Sequence, residues 1–300
     1  MTLAIYSKKM TCFSPIEIMR PSGLYQKVPC KQCNGCRIQR SKEWAIRCSH
    51  EAKIHGDNNA FLTLTYNNDH LPKDHSLNHE HFQKFIRSLR QRTGLKLRYY
   101  MCGEYGKATK ANKYIARPHF HAILFGHSFP DRTNHKLRKA GKSYNQTYRS
   151  EILEKSWDKG FSEIGTVTFK SCAYVSRYIL KKQKGEENYA IIDHDTGEIT
   201  YKKSEYTCMS LKPGIGLEYY KKWEHDIFPN DYVMLEPGKK LGVPQYYKNQ
   251  FKKDNPKMAK RLTNLRIAQS LKSPDRKPDR LAVRNQILNT KIEKLKRNLE

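Results

Sequence analysis

The segment that most constrains the fold is residues 117–126, which have the sequence Arg-Pro-His-Phe-His-Ala-Ile-Leu-Phe-Gly. After Pro118 the segment carries no Lys, Arg, Asp or Glu and ends at Gly126, which predicts a buried β-strand. Strand side chains alternate between faces, so His119 and His121 should lie on the same face. Two imidazoles with this spacing can bind one divalent metal ion. The alternative is that both are half-exposed residues of an edge strand, because central strand positions reject proline.

A second segment, residues 172–183, favours the metal-binding interpretation. It is predicted to form a helix in which Tyr174 and Tyr178 are one turn apart, and Arg177 and Lys181 share their face. A pair of tyrosines usually packs in a protein core, but a core stripe rarely carries cations between its aromatic residues. Two phenols framed by cations can bring a phosphate to a nucleophile, which predicts phosphoryl-transfer chemistry.

A tyrosine nucleophile needs activation, because a phenol with a pKa of about 10 is almost fully protonated at neutral pH. A metal ion at the histidine pair would help to activate the phenol and would stabilise charge on the phosphoryl oxygens. A third ligand with an anionic oxygen would suit Mg²⁺ or Mn²⁺. Glu104, which follows the preceding predicted strand, is the first candidate. Four nearby histidines are rival ligands, namely His70, His75, His79 and His81.

The eight cysteines predict metal binding rather than a disulfide framework, because the first residues do not have the pattern of a secretion signal. Cys30, Cys33 and Cys36 have the close spacing with which thiolates bind zinc in a tight turn. Cys12 is the first candidate for a fourth ligand, and Cys48 is the second. An iron–sulfur cluster and a loop of reduced, metal-free thiols are the alternatives.

The charge of the chain predicts a polyanionic partner. Fifty-seven Lys and Arg residues against 29 Asp and Glu residues give a formal net charge of +28, more than solubility requires. No stretch approaches the roughly eighteen apolar residues of a membrane-spanning helix. A cytoplasmic protein that binds nucleic acid is therefore favoured over one that binds a membrane. The 19 tyrosines agree with this, because aromatic rings stack on bases of any sequence.

The periodicity predicts an α+β fold with a central antiparallel sheet of about five strands and helices on its face. In addition to the histidine segment, the predicted strands are residues 61–66, 96–102, 160–169 and 206–211. The predicted helices are residues 38–55, 79–93, 150–157, 172–183 and 217–225. Residues 127–146 look loop-like. The predicted domains are a Cys-rich N-terminal segment (1–50), a core (51–228) and a basic helical tail (229–300).

Together these motifs resemble those of HUH endonucleases with two tyrosines, the initiators of rolling-circle replication. The shared order is the strand at residues 61–66, the Arg-Pro-His-Phe-His segment, and then Tyr174, Tyr178 and Lys181. The likeness is closer still to the replication initiators of gokushoviruses, which are single-stranded DNA phages of the Microviridae. It covers roughly residues 28–220. Shorter runs that resemble this group are residues 28–37, 44–47, 102–106 and 212–216.

The resemblance implies an endonuclease that nicks one DNA strand at an origin. The two histidines and Glu104 would bind Mg²⁺ or Mn²⁺, while Tyr174 and Tyr178 would act as alternating nucleophiles assisted by Lys181. One tyrosine would keep the 5′ phosphate in a covalent link, and the freed 3′ hydroxyl would prime a host polymerase. The second tyrosine would cut the regenerated origin so that the first strand is closed into a circle.

The partners implied are single-stranded and origin DNA together with the host polymerase and helicase, since the chain carries no P-loop of its own. Three cations near the motifs are candidates for contacts with DNA phosphates, namely Arg117, Arg177 and Lys182.

Two other functions stay open on the sequence. A metal-dependent hydrolase would use the histidine pair with water as the nucleophile, and it would need further ligands on later strands. A non-enzymatic, zinc-containing nucleic-acid-binding protein would use only the charge and the cysteines. A covalent protein–DNA adduct is the observation that separates the tyrosine mechanism from both.

Overall fold

The structure is a computed structural model. It describes residues 12–19, 21, 23–106, 116–140, 143–177, 188–192, 197, 199–228, 230–235, 238–272 and 277–294. The chain divides into two compact units, one formed by residues 47–216 and the other by residues 1–46 with 217–300. The domain boundaries predicted at residues 50 and 228 stay a prediction.

The elements follow one another along the chain in a mixed order of strands and helices. The strands are β1 (Ile16–Met19), β2 (Tyr25–Val28), β3 (Asn59–Tyr66), β4 (Arg98–Tyr105), β5 (Pro118–Phe125), β6 (Thr133–Ala140), β7 (Ser143–Arg149), β8 (Gly160–Gly165), β9 (Asn188–Ile192), β10 (Ile199–Lys203), β11 (Tyr206–Met209), β12 (Tyr232–Met234) and β13 (Lys240–Gly242). The helices are α1 (Asn34–Ile54), α2 (His79–Thr93), α3 (Glu151–Ser156), α4 (Phe169–Arg177), α5 (Leu217–Ile227), α6 (Gln245–Asp254), α7 (Pro256–Leu271) and α8 (Pro278–Lys294).

The unit of residues 47–216 is built on a seven-stranded sheet with the strand order β11-β4-β5-β3-β8-β7-β6. All of its neighbouring strands are antiparallel. The predicted α+β class with a central antiparallel sheet is therefore confirmed. A separate two-stranded hairpin of β9 and β10 agrees with the turn signal at residues 195–197.

The sheet is wider than predicted because the loop assigned to residues 127–146 is wrong. Most of that segment forms the β6–β7 hairpin at one edge of the sheet. Its residues are mostly polar, and Leu137 is exposed. An edge hairpin that buries little apolar surface lacks the alternation by which a strand is recognised in a sequence.

One face of the sheet buries the main apolar core against α2 and α3. Helix α2 has the predicted bounds, because the Asn78 side chain accepts a hydrogen bond from the Glu80 N–H at its start and Gly94 ends it with φ +66°. Its buried residues recur at three and four, as predicted, and are Phe82, Phe85, Ile86 and Leu89. They pack with side chains from three central strands, including Leu62, Leu64, Met101, Phe120 and Leu124.

The histidine strand β5 is central, with β4 on one side and β3 on the other. Pro118 is its first residue and lies opposite Tyr105. A proline at the first position of a strand is tolerated because it removes no hydrogen bond from the strand interior. The alternative that the histidines lie on an edge strand is therefore wrong.

Gly160 fixes the close approach of β8 to β3. It has φ +147°, and a Cβ atom there would overlap the backbone nitrogen of Asn67 and the carbonyl oxygen of Thr65. The backbone N–H of Asn67 also donates a hydrogen bond to the Lys159 carbonyl at 2.9 Å. No side chain fits without moving this backbone.

We expect Gly160→Ala to lower the free energy of unfolding by about 3 kcal/mol, because overlap with rigid backbone adds to the unfavourable φ. Gly56→Ala is the matched control, since Gly56 also has positive φ but no atom within 4 Å of its would-be Cβ, and it should cost about 1 kcal/mol. Urea unfolding followed by tryptophan fluorescence measures both. Equal losses in the two variants would contradict the close-approach argument.

The unit of residues 1–46 and 217–300 contains the β1–β2 hairpin, the β12–β13 hairpin and the C-terminal helices. Phe228 stacks on Phe251 with ring centroids 3.9 Å apart, and Arg266 donates two hydrogen bonds to Asp231 at 2.6 and 2.7 Å. The predicted basic helical tail is confirmed as α6, α7 and α8. Among the described residues, no helix combines the length and apolar character needed to cross a bilayer.

Candidate metal centre

The pairing of β4 with β5 brings a carboxylate to the two histidines. Glu104 lies directly opposite His119, and Cys102 lies opposite His121. Directly paired residues share a face of the sheet, as do residues two apart on one strand. Glu104 belongs to the strand rather than to the loop after it, because β4 runs on to Tyr105.

The three side chains meet at one point. Nε2 of His119 lies 2.6 Å from Oε1 of Glu104, and Nε2 of His121 lies 2.9 Å from the same oxygen. One ligand atom from each residue falls within 4.8 Å of the others. Glu104 is only 4% exposed and His121 only 8%. The group is therefore compact and largely shielded from water.

Neighbouring groups orient both imidazoles. Nδ1 of His119 lies 3.2 Å from the carbonyl oxygen of Arg117, and Nδ1 of His121 lies 3.1 Å from Oγ1 of Thr63. The ring of Phe61 stacks on His121 with centroids 5.5 Å apart. An imidazole that donates from Nδ1 presents the lone pair of Nε2, which is how protein histidines commonly bind metals.

The carboxylate itself fits a cation. Burial raises the pKa of Glu104, but hydrogen bonds and charge from His119 and His121 outweigh that effect and lower its pKa to about 2. The group is therefore ionised at neutral pH. Its other oxygen, Oε2, is buried and has no hydrogen-bond partner in the described part of the chain. A buried anionic oxygen without a partner is unfavourable unless it binds a cation, and two imidazoles with one carboxylate suit a divalent metal ion.

Helix α4 places a tyrosine at this group. The hydroxyl of Tyr174 donates a hydrogen bond to Oε1 of Glu104 at 3.0 Å and lies 3.4 Å from Nε2 of His121. Its ring packs edge-on against His121 at 5.1 Å and against Phe61 at 6.3 Å. The Arg177 guanidinium lies 5.5 Å from the centroid of the Tyr174 ring. The phenol oxygen thus lies beside the ligand atoms, with a cation one turn along the helix.

The remaining predicted residues fall into two groups. Arg117 donates hydrogen bonds to the Tyr66 carbonyl at 3.1 Å and to Oδ1 of Asn68 at 2.7 Å, at the end of the sheet near His119. The roles assigned to three others stay predictions because these residues lie outside the described ranges, namely Tyr178, Lys181 and Lys182.

The rival histidines have other surroundings. His79 lies 3.0 Å from the Tyr206 hydroxyl, and His81 lies 2.9 Å from the Tyr66 hydroxyl. Within the described ranges, the Glu104 group contains none of the four rivals, His70, His75, His79 and His81.

The cysteines form a second candidate metal-binding group, in the other unit. The Sγ atoms of Cys12, Cys30, Cys33 and Cys36 lie within 4.8 Å of one another. Backbone N–H groups of Gln32 and Cys33 donate to Sγ of Cys30 at 3.4 and 3.3 Å. Burial would raise the pKa of Cys30, but these donors and the neighbouring thiols lower it to about 7. Four thiols with such donors match a structural zinc site.

The sequence did not identify Phe61 and Thr63 as part of the site. Both alternate with the buried Leu62 and Leu64, so the pattern placed them on the face opposite the core. It contained no signal that this face meets His121, because strand pairing is not encoded in local periodicity.

The fold and this centre define a class of protein: an α+β protein whose antiparallel sheet presents a His–His–Glu metal-binding group beside a tyrosine. The family model for replication-associated protein ORF2 matches residues 59–183, which include every residue of the group and Tyr174.

Curated proteins of phages are similar over most of the chain. The replication-associated protein VP4 of Bdellovibrio phage phiMH2K is 35% identical over 236 residues, which are 76% of this chain and 68% of the relative. The replication-associated protein ORF2 of Spiroplasma virus 4 is 32% identical over 239 residues, with the same coverage. ORF4 of Chlamydia phage 1 is 28% identical and is covered over 54% of its length. No solved structure matches.

The chain belongs to the family of phage replication-associated proteins, and it is a replication initiator of the gokushovirus type. The resemblance inferred from the motifs is thereby confirmed.

Proposed function

We propose that this replication initiator nicks single-stranded DNA at an origin by metal-dependent transesterification, with Tyr174 as a nucleophile. The observation that carries the proposal is the position of the Tyr174 hydroxyl, 3.0 Å from Oε1 of Glu104 and 3.4 Å from Nε2 of His121. A phenol used only for packing does not need to point at a carboxylate and an imidazole that both suit a metal ion.

A Mg²⁺ or Mn²⁺ ion held by His119, His121 and Glu104 would polarise the scissile phosphate and favour the phenolate. The chain itself orients the nucleophile, because the Tyr174 hydroxyl is held by Glu104 and its ring by Phe61. Attack by Oη on phosphorus forms one O–P bond and breaks the bond to the 3′ oxygen. The products are a 5′-phosphotyrosine and a free 3′ hydroxyl, so the energy for rejoining is kept in the protein–DNA link.

The other predicted residues complete the scheme. Tyr178 is the second nucleophile, and Lys181 is the cation that assists it. Arg117, Arg177 and Lys182 contact DNA phosphates. The 3′ hydroxyl then serves as a primer for a host polymerase, with a host helicase, in the cytoplasm of the infected bacterium.

An adduct assay tests the proposal. The protein is incubated with Mn²⁺ and single-stranded origin DNA labelled at its 3′ end, because the fragment that carries the 5′ phosphate stays on the tyrosine. A denaturing gel should show label migrating with the protein, and chelation should abolish it. Cleavage without this adduct would indicate a hydrolase, and binding without cleavage would indicate a non-enzymatic DNA-binding protein.

We further propose that the four cysteines of the second group, Cys12, Cys30, Cys33 and Cys36, hold a structural zinc ion. The observation favouring this role is that Cys12, which is distant in sequence from the other three, joins them in space. The zinc would tie the segment before β1 to the start of α1.

We expect the purified protein to contain one equivalent of zinc and Cys33→Ser to lose it, with a loss of stability of about 3 kcal/mol or more. Metal analysis and thermal unfolding measure the two effects. Cys208→Ser is the control, because Cys208 lies on β11 outside the group, and this variant should keep its zinc. A zinc-free wild-type protein with unchanged stability in chelator would exclude the site.

A further inference from the structure

An exposed phenylalanine lies inside the central sheet. Phe161 belongs to β8, which has β3 on one side and β7 on the other, yet its exposed fraction is 70%. Large apolar side chains on interior strands are normally buried, so an exposed one indicates a surface that is used for binding.

Phe161 shares a face with the metal centre. Thr65 of β3 pairs with Phe161 on one side and with His119 on the other. Paired residues lie on the same face, so these three side chains form one row across neighbouring strands. With neighbouring strands about 4.8 Å apart, the Cα atom of Phe161 lies about 10 Å from that of His119.

The ring is presented from rigid backbone. The preceding residue, Gly160, is packed against Asn67 and Thr65 so closely that a Cβ atom would overlap them. The indole N–H of Trp157 donates a hydrogen bond to the Thr65 carbonyl at 3.2 Å. A platform held in this way loses little freedom when a ligand binds, which favours affinity.

A cation lies at the same end of the sheet. Arg117 donates to the carbonyl oxygen of Tyr66, and Tyr66 pairs with Gly160, the neighbour of Phe161. The two hydrogen bonds to Tyr66 and Asn68 use two of the five N–H groups of the guanidinium, which leaves donors for a phosphate. An aromatic platform beside a cation is the combination that binds single-stranded nucleic acid.

We propose that Phe161 forms a nucleobase-stacking subsite, which holds a base next to the scissile phosphate while Arg117 contacts the backbone. The assignment of that phosphate rests on the proposed function, whereas the stacking does not. Bases in a duplex have both faces covered by their neighbours. The subsite therefore binds single-stranded DNA and contributes nothing to the binding of duplex DNA.

Phe161→Ala should weaken binding to single-stranded DNA by roughly five- to a hundredfold, the usual effect of losing one stacked base. Its affinity for duplex DNA should not change. Phe161→Trp should keep or strengthen the single-stranded affinity, because the larger ring also stacks. Anisotropy titrations with a fluorescein-labelled oligonucleotide and with its duplex, both in EDTA, measure binding without cleavage.

Tyr144→Ala is the matched control. Tyr144 is 61% exposed on the same sheet, but it lies four residues before Tyr148, which packs against the core on the other face. It should bind both DNAs as the wild type does. The proposal is overturned if Phe161→Ala binds single strands like the wild type, or if it loses duplex affinity equally. Since no nicking occurs in EDTA, an absent adduct would remove the proposed function and leave the subsite standing.

Discussion

Replacing Tyr174 and Tyr178 together by phenylalanine is expected to abolish the covalent protein–DNA adduct and to slow nicking by at least about a thousandfold. The substitution removes only the hydroxyl groups. At Tyr174 the ring keeps its contacts with His121 and Phe61, so the fold and DNA binding should persist. The adduct gel and a binding titration in EDTA, run side by side, measure the two properties.

The single variants divide the roles of the two tyrosines. Tyr174→Phe should lose the adduct that forms through the phenol beside Glu104, and Tyr178→Phe should impair rejoining more than the first cut. Tyr144→Phe, on the other face of the sheet, is the control and should behave as the wild type. An adduct formed by the double variant would show that another residue is the nucleophile.

His121→Ala is expected to reduce Mn²⁺-dependent nicking by at least about a thousandfold, because it removes a metal ligand whose second nitrogen contacts Thr63. The affinity for Mn²⁺ should fall as well, which calorimetry or the paramagnetic resonance signal of free Mn²⁺ measures directly. Binding of single-stranded DNA in EDTA should be almost unchanged.

Thr63→Val offers a graded comparison. It leaves all three ligands in place but removes the oxygen beside Nδ1 of His121, so the loss should be about ten- to a hundredfold. His225→Ala, which changes an exposed histidine on α5, should have no effect. Retained nicking by His121→Ala at low Mn²⁺ would remove this histidine from the metal site.

The two sets of variants also separate the competing functions. A hydrolase that activates water would lose activity in His121→Ala but keep it in the double tyrosine variant. A tyrosine transesterase loses activity in both. A DNA-binding protein without catalysis would show no nicking in any form, and only its zinc content and DNA affinity would respond to substitution.

Much of the secondary structure was predictable because it depends on local patterns. The bounds of α2 follow from Asn78, Gly94 and apolar residues at spacings of three and four, all of them close in the chain. The shared face of His119 and His121 follows from strand alternation alone. The polar β6–β7 hairpin carried no such pattern, and for that reason it was missed.

The composition of the sites depended on tertiary structure. Sequence spacing proposed Glu104 over its rivals, but only the register of β4 against β5 places it opposite His119. Likewise, Cys12 and Cys48 were both open as a fourth thiol until the fold brought Cys12 to the other three. The local sequence determined which elements form and which face of each is apolar, because periodicity reports burial along a single element. Only the tertiary structure decided which faces meet, because strand register and long loops join residues whose separation along the chain carries no periodic signal.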